Sequence, residues 1–275
     1  VIKRFRSAMA LLAAAVLWFV VITASWVGLM GLVNPPVTWV MAAQARELGG
    51  IQRTDRALEE MARAMPLAVI SSEDQRFMTH YGFSTEQIKR ALGMKEPGFS
   101  LIEFLQALFD DERKSKRGRG LKGASTISQQ TAKNVFLWPG RTRLRKALEA
   151  WFTVLIESLW TKERILEVYL NVAETGKGTF GAEAAAQRCF GRSAAKLSPA
   201  QAALITATLP APRRFSCVAP SGYVQGRQQW VLRQMRNVGD VLDPEVLRRR
   251  KEKIEQEEAR EAEREARRRR KREGR

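Results

Sequence analysis

The sequence predicts a mostly α-helical domain carried behind one N-terminal transmembrane helix. Three observations predict it. From Ala8 to Val33 no charged residue appears over roughly 26 positions, and at about 1.5 Å per residue such a helix crosses a ~30 Å hydrocarbon core with room to tilt. Between Arg145 and Asn171 apolar side chains return at helical spacing. No stretch shows the sustained alternation of a half-buried strand.

The apolar span comes first in the chain. Lys3, Arg4 and Arg6 precede it and the next charge is Arg46, so the positive-inside rule places the N-terminus in the cytoplasm and the remainder outside. Trp39 lies just beyond the span, where interfacial aromatics are common. A cleaved signal peptide is the alternative. Its apolar region is normally ~7–15 residues, shorter than this one, although Ala13-Ala14-Ala15 imitates a cleavage site.

The chain of 275 residues is 45% hydrophobic, which supplies a core and excludes wholesale disorder. A formal charge of +18 calls for an anionic partner: nucleic acid, an acidic membrane surface or a phosphorylated substrate. An exported domain rarely meets DNA or RNA, and neither zinc-finger spacing nor an RNA-binding signature is present, so nucleic acid is not an expected partner. Cys189 and Cys217 would lie in an oxidising compartment, either joined in one disulfide or left as buried thiols. His80 is the only histidine, so no metal cluster is suggested.

After the span, Pro35-Pro36 opens a segment, Val37–Met65, that reads as a helical linker. Pro66–Ser72 is a short apolar run ending at an acidic pair. Thr85–Leu92 is helical until Gly93, Pro97 and Gly98 break it. Phe99–Phe109 is unusually apolar and Arg113–Lys122 abruptly basic; the pair is either an interfacial element dipping into headgroups or a core helix with a solvated loop. Arg145–Asn171 reads as two helices meeting near Thr161. Ala182–Phe190, Pro199–Leu209 and Tyr223–Val238 add further helices. From Arg248 the chain is charged with almost nothing apolar beyond Ile254, so the tail is a solvated helix or a disordered one. The expected organisation is a cytoplasmic start at 1–7, the transmembrane helix at 8–33, the linker at 34–65, the globular domain at 66–240 and the tail at 241–275.

Four constellations carry candidate chemistry. In Glu73-Asp74-Gln75-Arg76-Phe77, followed by His80 and Gly82, an acidic pair directly follows an apolar run. Desolvation at such an edge favours a neutral acid and suits it to general acid or base work. The alternative is a helix N-terminus capped by Ser71 or Ser72 with acids in its first turn. Gly123-Ala124-Ser125-Thr126-Ile127-Ser128-Gln129-Gln130, continuing to Lys133 and Asn134, presents N–H groups, hydroxyls and amides to an anion or sugar. Lys133 and Arg141 add the cations that pyrophosphate would need. A polar helix start with surface charges reads equally from the same residues. Glu149, in Arg145-Lys146-Ala147-Leu148-Glu149, is either a second active-site carboxylate or an i,i+4 ion pair with Arg145. The apolar spacing of Lys162–Asn171 assigns that segment to the core rather than to chemistry.

Together these segments are specific. Glu73–Gly82 resembles the E-D-x-x-F-x-x-H-x-G signature of the peptidoglycan glycosyltransferases, Gly123–Gln130 their G-x-S-T-I-x-Q-Q, Arg145–Glu149 their R-K-x-x-E and Ile165–Asn171 their I-L-x-x-Y-L-N. The order agrees, Gly181–Phe190 resembles a fifth segment, and the resemblance runs from about Leu67 to Trp230. No S-x-x-K motif with downstream transpeptidase partners follows, so the monofunctional type is the one resembled. Two features depart from the family: Cys189 stands where a tyrosine is usual, and Gly93–Gly120 is longer than usual.

The resemblance implies a lysozyme-like helical catalytic lobe with a small membrane-proximal lobe. It also implies a bacterial inner-membrane enzyme, single-pass, working on the outer face. Its partners would be lipid II, the growing lipid-linked glycan, the cytoplasmic membrane, and proteins of cell-wall synthesis or division. Glu73 would be the general base on the acceptor 4-hydroxyl, giving an inverted β-1,4 linkage. Lys133 and Arg141 would stabilise the departing pyrophosphate, and Ser125, Gln129, Gln130 and Asn134 would orient the donor. Phe77, His80, Gly82, Gly123, Thr126 and Arg145 complete the implied substrate site. Glu149 would organise the cations, with a divalent ion at the pyrophosphate left open and no other cofactor implied. Two rivals stand beside this reading: a lysozyme-like lytic enzyme, which needs no pyrophosphate site, and a catalytically inactive scaffold.

Overall fold

A computed structural model describes residues 2–83, 125–140 and 142–273. The expected helix Thr85–Leu92, the apolar stretch Phe99–Phe109 and the basic run Arg113–Lys122 lie outside these residues.

Hydroxyl caps set most of the helix starts. Helix α1 is Ile2–Leu32 and α2 is Trp39–Leu48, the latter capped by Thr38, whose side chain accepts from the Met41 amide. Helix α3 spans Ala64–Glu73. Helix α4, Ile127–Phe136, begins at Thr126 in a capping box with Gln129. Thr142 caps α5 (Arg143–Leu159) and Thr161 caps α6 (Lys162–Val172), so the helical region divides at the expected threonine. Helix α7 covers Ala182–Phe190. Ser198, with Pro199 at the first turn, starts α8 (Pro199–Thr208), and Ser221 starts α9 (Gly222–Val238). Helix α10 runs Pro244–Glu273. Its sparse apolar content leaves it largely solvated beyond Arg250, whose guanidinium still donates to the Val238 carbonyl at 3.2 Å.

A small sheet accompanies the helices of this mostly α-helical domain. Strand β1 (Gln52–Arg53) pairs parallel with β3 (Thr179–Phe180), which pairs antiparallel with β2 (Glu174–Gly176). Segment 34–65 is therefore not a helical linker: it is helical over α2, contributes β1 and a 3-10 turn at Leu58–Glu60, and buries Met41 and Met61. Buried Gln44 of α2 accepts from the Gly178 amide at 2.8 Å, fastening α2 to the β2–β3 turn.

One continuous apolar core joins the helices. Helix α8 packs on both α3 and α9, while α4 packs on α5 and α6. Fully buried Ile70, Phe77, Ile127, Ile156, Ile165 and Tyr169 connect the two groups. Each such side chain contributes about 1.5–3 kcal/mol by burial, and their common effect is to fix the ends of α3 and α4 beside the starts of α5 and α6.

Within α1, Met9–Leu32 is long and apolar enough to cross a membrane, and only 11% of its apolar 18-residue window is buried in protein. A soluble core helix would be mostly covered; here Leu11, Leu12, Leu17 and Trp18 face outward. The far half of α1 docks on α5. Trp151 Nε1 donates to Thr23 Oγ1 (3.1 Å) and Trp160 Nε1 to the Val27 carbonyl (2.8 Å). Trp26 lies edge-on to Phe136 and Phe152, with centroids 5.2 and 5.9 Å away. Arg164 donates to the carbonyls of Met30 (3.0 Å) and Val33 (2.8 Å), a cation on the last open carbonyls of the helix. A leader removed after export would leave these donors without partners, so the contacts favour a retained anchor over a signal peptide.

Gly31 permits this approach, because a Cβ there would stand 2.8 Å from Trp160 Nε1. Gly31→Val is expected to destabilise the docked anchor by about 1–3 kcal/mol through overpacking. Gly28→Ala, with nothing within 4 Å of the added carbon, should leave it unchanged. Thermal unfolding in detergent checks the pair, and equal melting temperatures would contradict the docking.

Candidate active site

The acidic pair stands at the C-terminal end of α3, not in the first turn of a helix. Its members diverge because the helix stops between them. Asp74, 3% exposed, turns inward and accepts from the Ile127 amide (3.1 Å) and from His80 Nε2 (2.9 Å). It thus supplies the acid favoured at a helix N-terminus, but to α4 rather than to its own helix. Glu73 stays partly open. Its Oε1 accepts from Ser72 Oγ (3.0 Å) and lies 3.7 Å from Arg227 Nη2, and its Oε2 accepts from Gln130 Nε2 (3.3 Å).

Phe77, His80, Gly82 and Thr126, expected to bind substrate, are instead internal struts. Phe77 is wholly buried. The Gly82 amide donates to His80 Nδ1 (3.1 Å), so Nδ1 is the unprotonated nitrogen and Nε2–H is the donor to Asp74. Thr126 Oγ1 donates to the Gly82 carbonyl (2.7 Å) and receives the Gln129 amide (3.1 Å). Gly82 sits at φ 80, where a side chain is strained, and a Cβ would meet Thr153 Cγ2 at 2.7 Å. The G in this motif is thus required by backbone geometry and close packing.

Lys162, which the sequence reading left within a core segment, completes the support. Its ammonium donates to the His80 carbonyl (2.5 Å) and to Glu157 (2.8 Å) and lies 4.6 Å from the Phe77 ring centre. Burial lowers its pKa, against the raising pull of Glu157. Its chain distance from the acidic pair, together with its place in a helix that reads as core, hid it.

The open side of these struts is a cleft of about 550 Å³. Ser125, Gln129, Gln130, Lys133, Asn134, Arg145 and Glu149 all line it, as does Tyr169. Gln129 also accepts from the Thr126 amide (3.0 Å), so its carbonyl oxygen serves the helix cap. Glu73 is not in the lining itself; it reaches the cleft through Gln130. Gly123 and Arg141 lie outside the described residues.

The cleft floor is cationic around one carboxylate. Glu149, 3% exposed, accepts from Arg145 Nη1 (2.9 Å) and Lys146 Nζ (2.6 Å), and both cations are buried. Glu149 is thus ion-paired with Arg145 and also lines the cleft, where Lys146 joins it. Lys133 projects into the open cleft. The crowding walls lower its pKa first, against the raising pull of Glu149, with Arg145 and Lys146 lowering it further. Because the side chain remains exposed to cleft solvent, partial wall desolvation rather than full burial is the cause.

Tyr169 corrects the assignment of Lys162–Asn171 wholly to the core. Its hydroxyl donates to Gln130 Oε1 (3.3 Å), leaving the Gln130 amide nitrogen directed at Glu73. Burial first, and the Glu73 charge second, raise its pKa well above the ordinary phenol value, so it is a neutral donor. Asn171, by contrast, is structural, bonded to the Arg56 amide (3.0 Å) and carbonyl (2.8 Å).

Among the described residues no group of three His, Cys, Asp or Glu side chains is placed to hold a metal. Both oxygens of Glu149 already face cations. The arrangement combines a partly open carboxylate, held by an amide and a hydroxyl, with a nearby cationic floor. It suits proton abstraction beside a developing anionic leaving group.

Comparison with known proteins gives a consistent picture. A profile of the transglycosylase family matches residues 92–236. The chain is 47% identical over 247 residues to a biosynthetic peptidoglycan transglycosylase of Klebsiella oxytoca, covering 86% of this chain and 91% of that protein. It is 44% identical over 231 residues to one of Pseudomonas aeruginosa (81% and 90% covered). It is 39% identical over 244 residues to one of Xanthomonas campestris pv. campestris (86% and 91% covered).

Proposed function

The chain belongs to the transglycosylase family and is a peptidoglycan glycosyltransferase, and from that membership we propose how its own residues polymerise the strand. The donor is a glycan on a polyprenyl pyrophosphate and the acceptor is lipid II. Glu73 takes the proton from the acceptor 4-hydroxyl as that oxygen attacks the anomeric carbon; the bond to pyrophosphate breaks and the centre inverts to a β-1,4 linkage. One observation carries this reading: Glu73, fixed by Gln130, opens beside a cleft whose floor holds Lys133, Arg145 and Lys146.

Preorganised cations aimed at developing negative charge are commonly the largest catalytic contribution, about 3–4 kcal/mol per donor. Lys133 receives the pyrophosphate charge together with Arg141, and Glu149 holds Arg145 and Lys146 in place. Ser125, Gln129, Gln130 and Asn134 orient the donor. A lytic enzyme would have no use for this cationic floor. The catalytic domain, built from 66–240 together with the segment 34–65 packed into its sheet and core, lies on the outer face of the cytoplasmic membrane, behind an anchor at 8–33 with the N-terminus inside. Docking of α1 onto α5 holds the cleft at a set height above a two-dimensional substrate, which raises its effective concentration.

Purified enzyme offered lipid II should release polyprenyl pyrophosphate and form polymer. Offered preformed, lipid-free strands, it should leave them intact. Cleavage of the strands without polymer formation would favour the lytic reading.

The lowered pKa of Lys133 sets a pH test. The free site loses this ammonium at a lower pH than an ordinary lysine, whose value is 10.5, and a bound pyrophosphate restores it. The alkaline limb of kcat/KM should therefore fall at lower pH than that of kcat. Lys133→Arg, which stays charged, should move the kcat/KM limb upward. Superimposed limbs in the wild type would remove Lys133 from the pyrophosphate site.

A further inference from the structure

A second, smaller hollow adjoins the cleft. It holds about 110 Å³ and shares Pro212 and Arg213 with the larger one. Its walls come from the β2–β3 hairpin, the end of α7, and the segment from Pro212 to Cys217. The Cys189–Cys217 disulfide, with Cα atoms 5.6 Å apart, ties the last two walls together. This gives the cysteine pair a structural purpose that the sequence left open.

Lys177, Arg188, Arg213 and Arg214 line the hollow, and among the described residues no carboxylate does. Arg213 is matched by Glu174 at 2.8 Å. Among the described residues no anion matches Arg188. Its Nη1 is oriented by the Lys177 carbonyl (3.0 Å) and Thr179 Oγ1 (2.6 Å), both neutral acceptors. Lys177 and Arg214 are exposed, and neither has an ion-pair partner among the described residues. Cations converging on a polar hollow repel one another and destabilise the empty site, which an anionic ligand would relieve.

We propose that this hollow is a subsite for a carboxylate on the peptide branch of the peptidoglycan substrate. The inference rests on the polymerase reading and extends it. The cleft next door takes the sugars and the pyrophosphate on its own cations, so the hollow is free for a branch of the same substrate. A peptide branch ends in a carboxylate, the group that guanidinium and ammonium donors recognise by short charge-assisted hydrogen bonds. The small volume fits a chain end or one acidic side chain. Arg188 is the oriented donor, Lys177 and Arg214 are the adjustable ones, and Arg213 marks the boundary with the cleft.

A cycle of two enzymes and two substrates tests it. Wild type and the Lys177→Ala/Arg214→Ala double variant are each given lipid II with free peptide carboxylates and lipid II with those carboxylates amidated. Wild type should show a KM about three- to tenfold lower for the free-carboxylate substrate, the scale of two partly exposed ion pairs. The double variant should lose that preference, and the exchange Lys177→Arg/Arg214→Lys should restore it. Unfolding should be the same for all three enzymes, since the two side chains are exposed.

An equal rise in KM for both substrates would assign these cations to general attraction of an anionic substrate or membrane and overturn the subsite. So would an unchanged preference in the double variant. Should wild type polymerise neither substrate, the polymerase reading itself fails and the subsite falls with it. If both are polymerised without coupling, only the subsite fails.

Discussion

Glu73→Gln is expected to lower glycan polymerisation by ~10²–10⁴-fold, the usual effect of losing a general base. The exchange preserves volume and hydrogen-bonding shape, so Ser72 and Gln130 keep a side-chain neighbour while the proton acceptor is lost. The carboxylate is partly exposed and its ion pair with Arg227 is long at 3.7 Å, so stability should change by less than about 1 kcal/mol. Turnover under saturating lipid II, with chemical denaturation as the control, separates the two effects. Retention of more than about a tenth of wild-type turnover would remove Glu73 as the base. A variant that unfolds would show that the α3 terminus depends on this charge.

Glu149→Ala should damage both fold and activity. On a solvated helix an i,i+4 pair such as Arg145–Glu149 is worth about 0.3–0.5 kcal/mol. Here all three partners are at least nine-tenths buried, with exposures of 7%, 9% and 3% for Arg145, Lys146 and Glu149. Removing the carboxylate leaves two buried cations facing each other, a loss of about 3–5 kcal/mol. Lys133 also loses the charge that raises its pKa, so the alkaline limb of kcat/KM should retreat to still lower pH. Chemical denaturation checks the first effect and a pH profile the second. A stability loss under about 1 kcal/mol would mean that the three charges behave as an ordinary surface pair.

Helix existence and order were legible because apolar spacing and hydroxyl caps agree: Thr161 marks a helix start in the sequence and in the fold. The sheet was not legible, since strands as short as Gln52–Arg53 and Thr179–Phe180 have no room for alternation. Asp74 misled for a related reason. An acid beside Ser71 and Ser72 signals a local cap, but its partner helix begins at Ile127, and that contact depends on tertiary packing. Motif residues such as Phe77, His80 and Thr126 are shared by the family pattern, but the pattern alone does not separate a strut from a substrate contact; burial marks Phe77 and Thr126 as internal, and for His80 the bonds to Asp74 and Gly82 do so. Arg227 and Lys162 reach the site from distant helices, and nothing in their local sequence marks them. The docking of α1 was equally hidden, because Thr23 and Gly31 look like ordinary residues of an apolar span until Trp151 and Trp160 are seen against them.

One reaction tests the central claim most directly: purified enzyme, lipid II, and the product followed by polyprenyl pyrophosphate release and by the anomeric configuration of each new bond. The account predicts one pyrophosphate released per glycosidic bond, every bond β-1,4, and no free reducing ends, because each strand terminus keeps the acceptor's lipid pyrophosphate. Release of free sugar without polymer, or retention of the donor configuration, would contradict direct attack by an acceptor hydroxyl activated at Glu73.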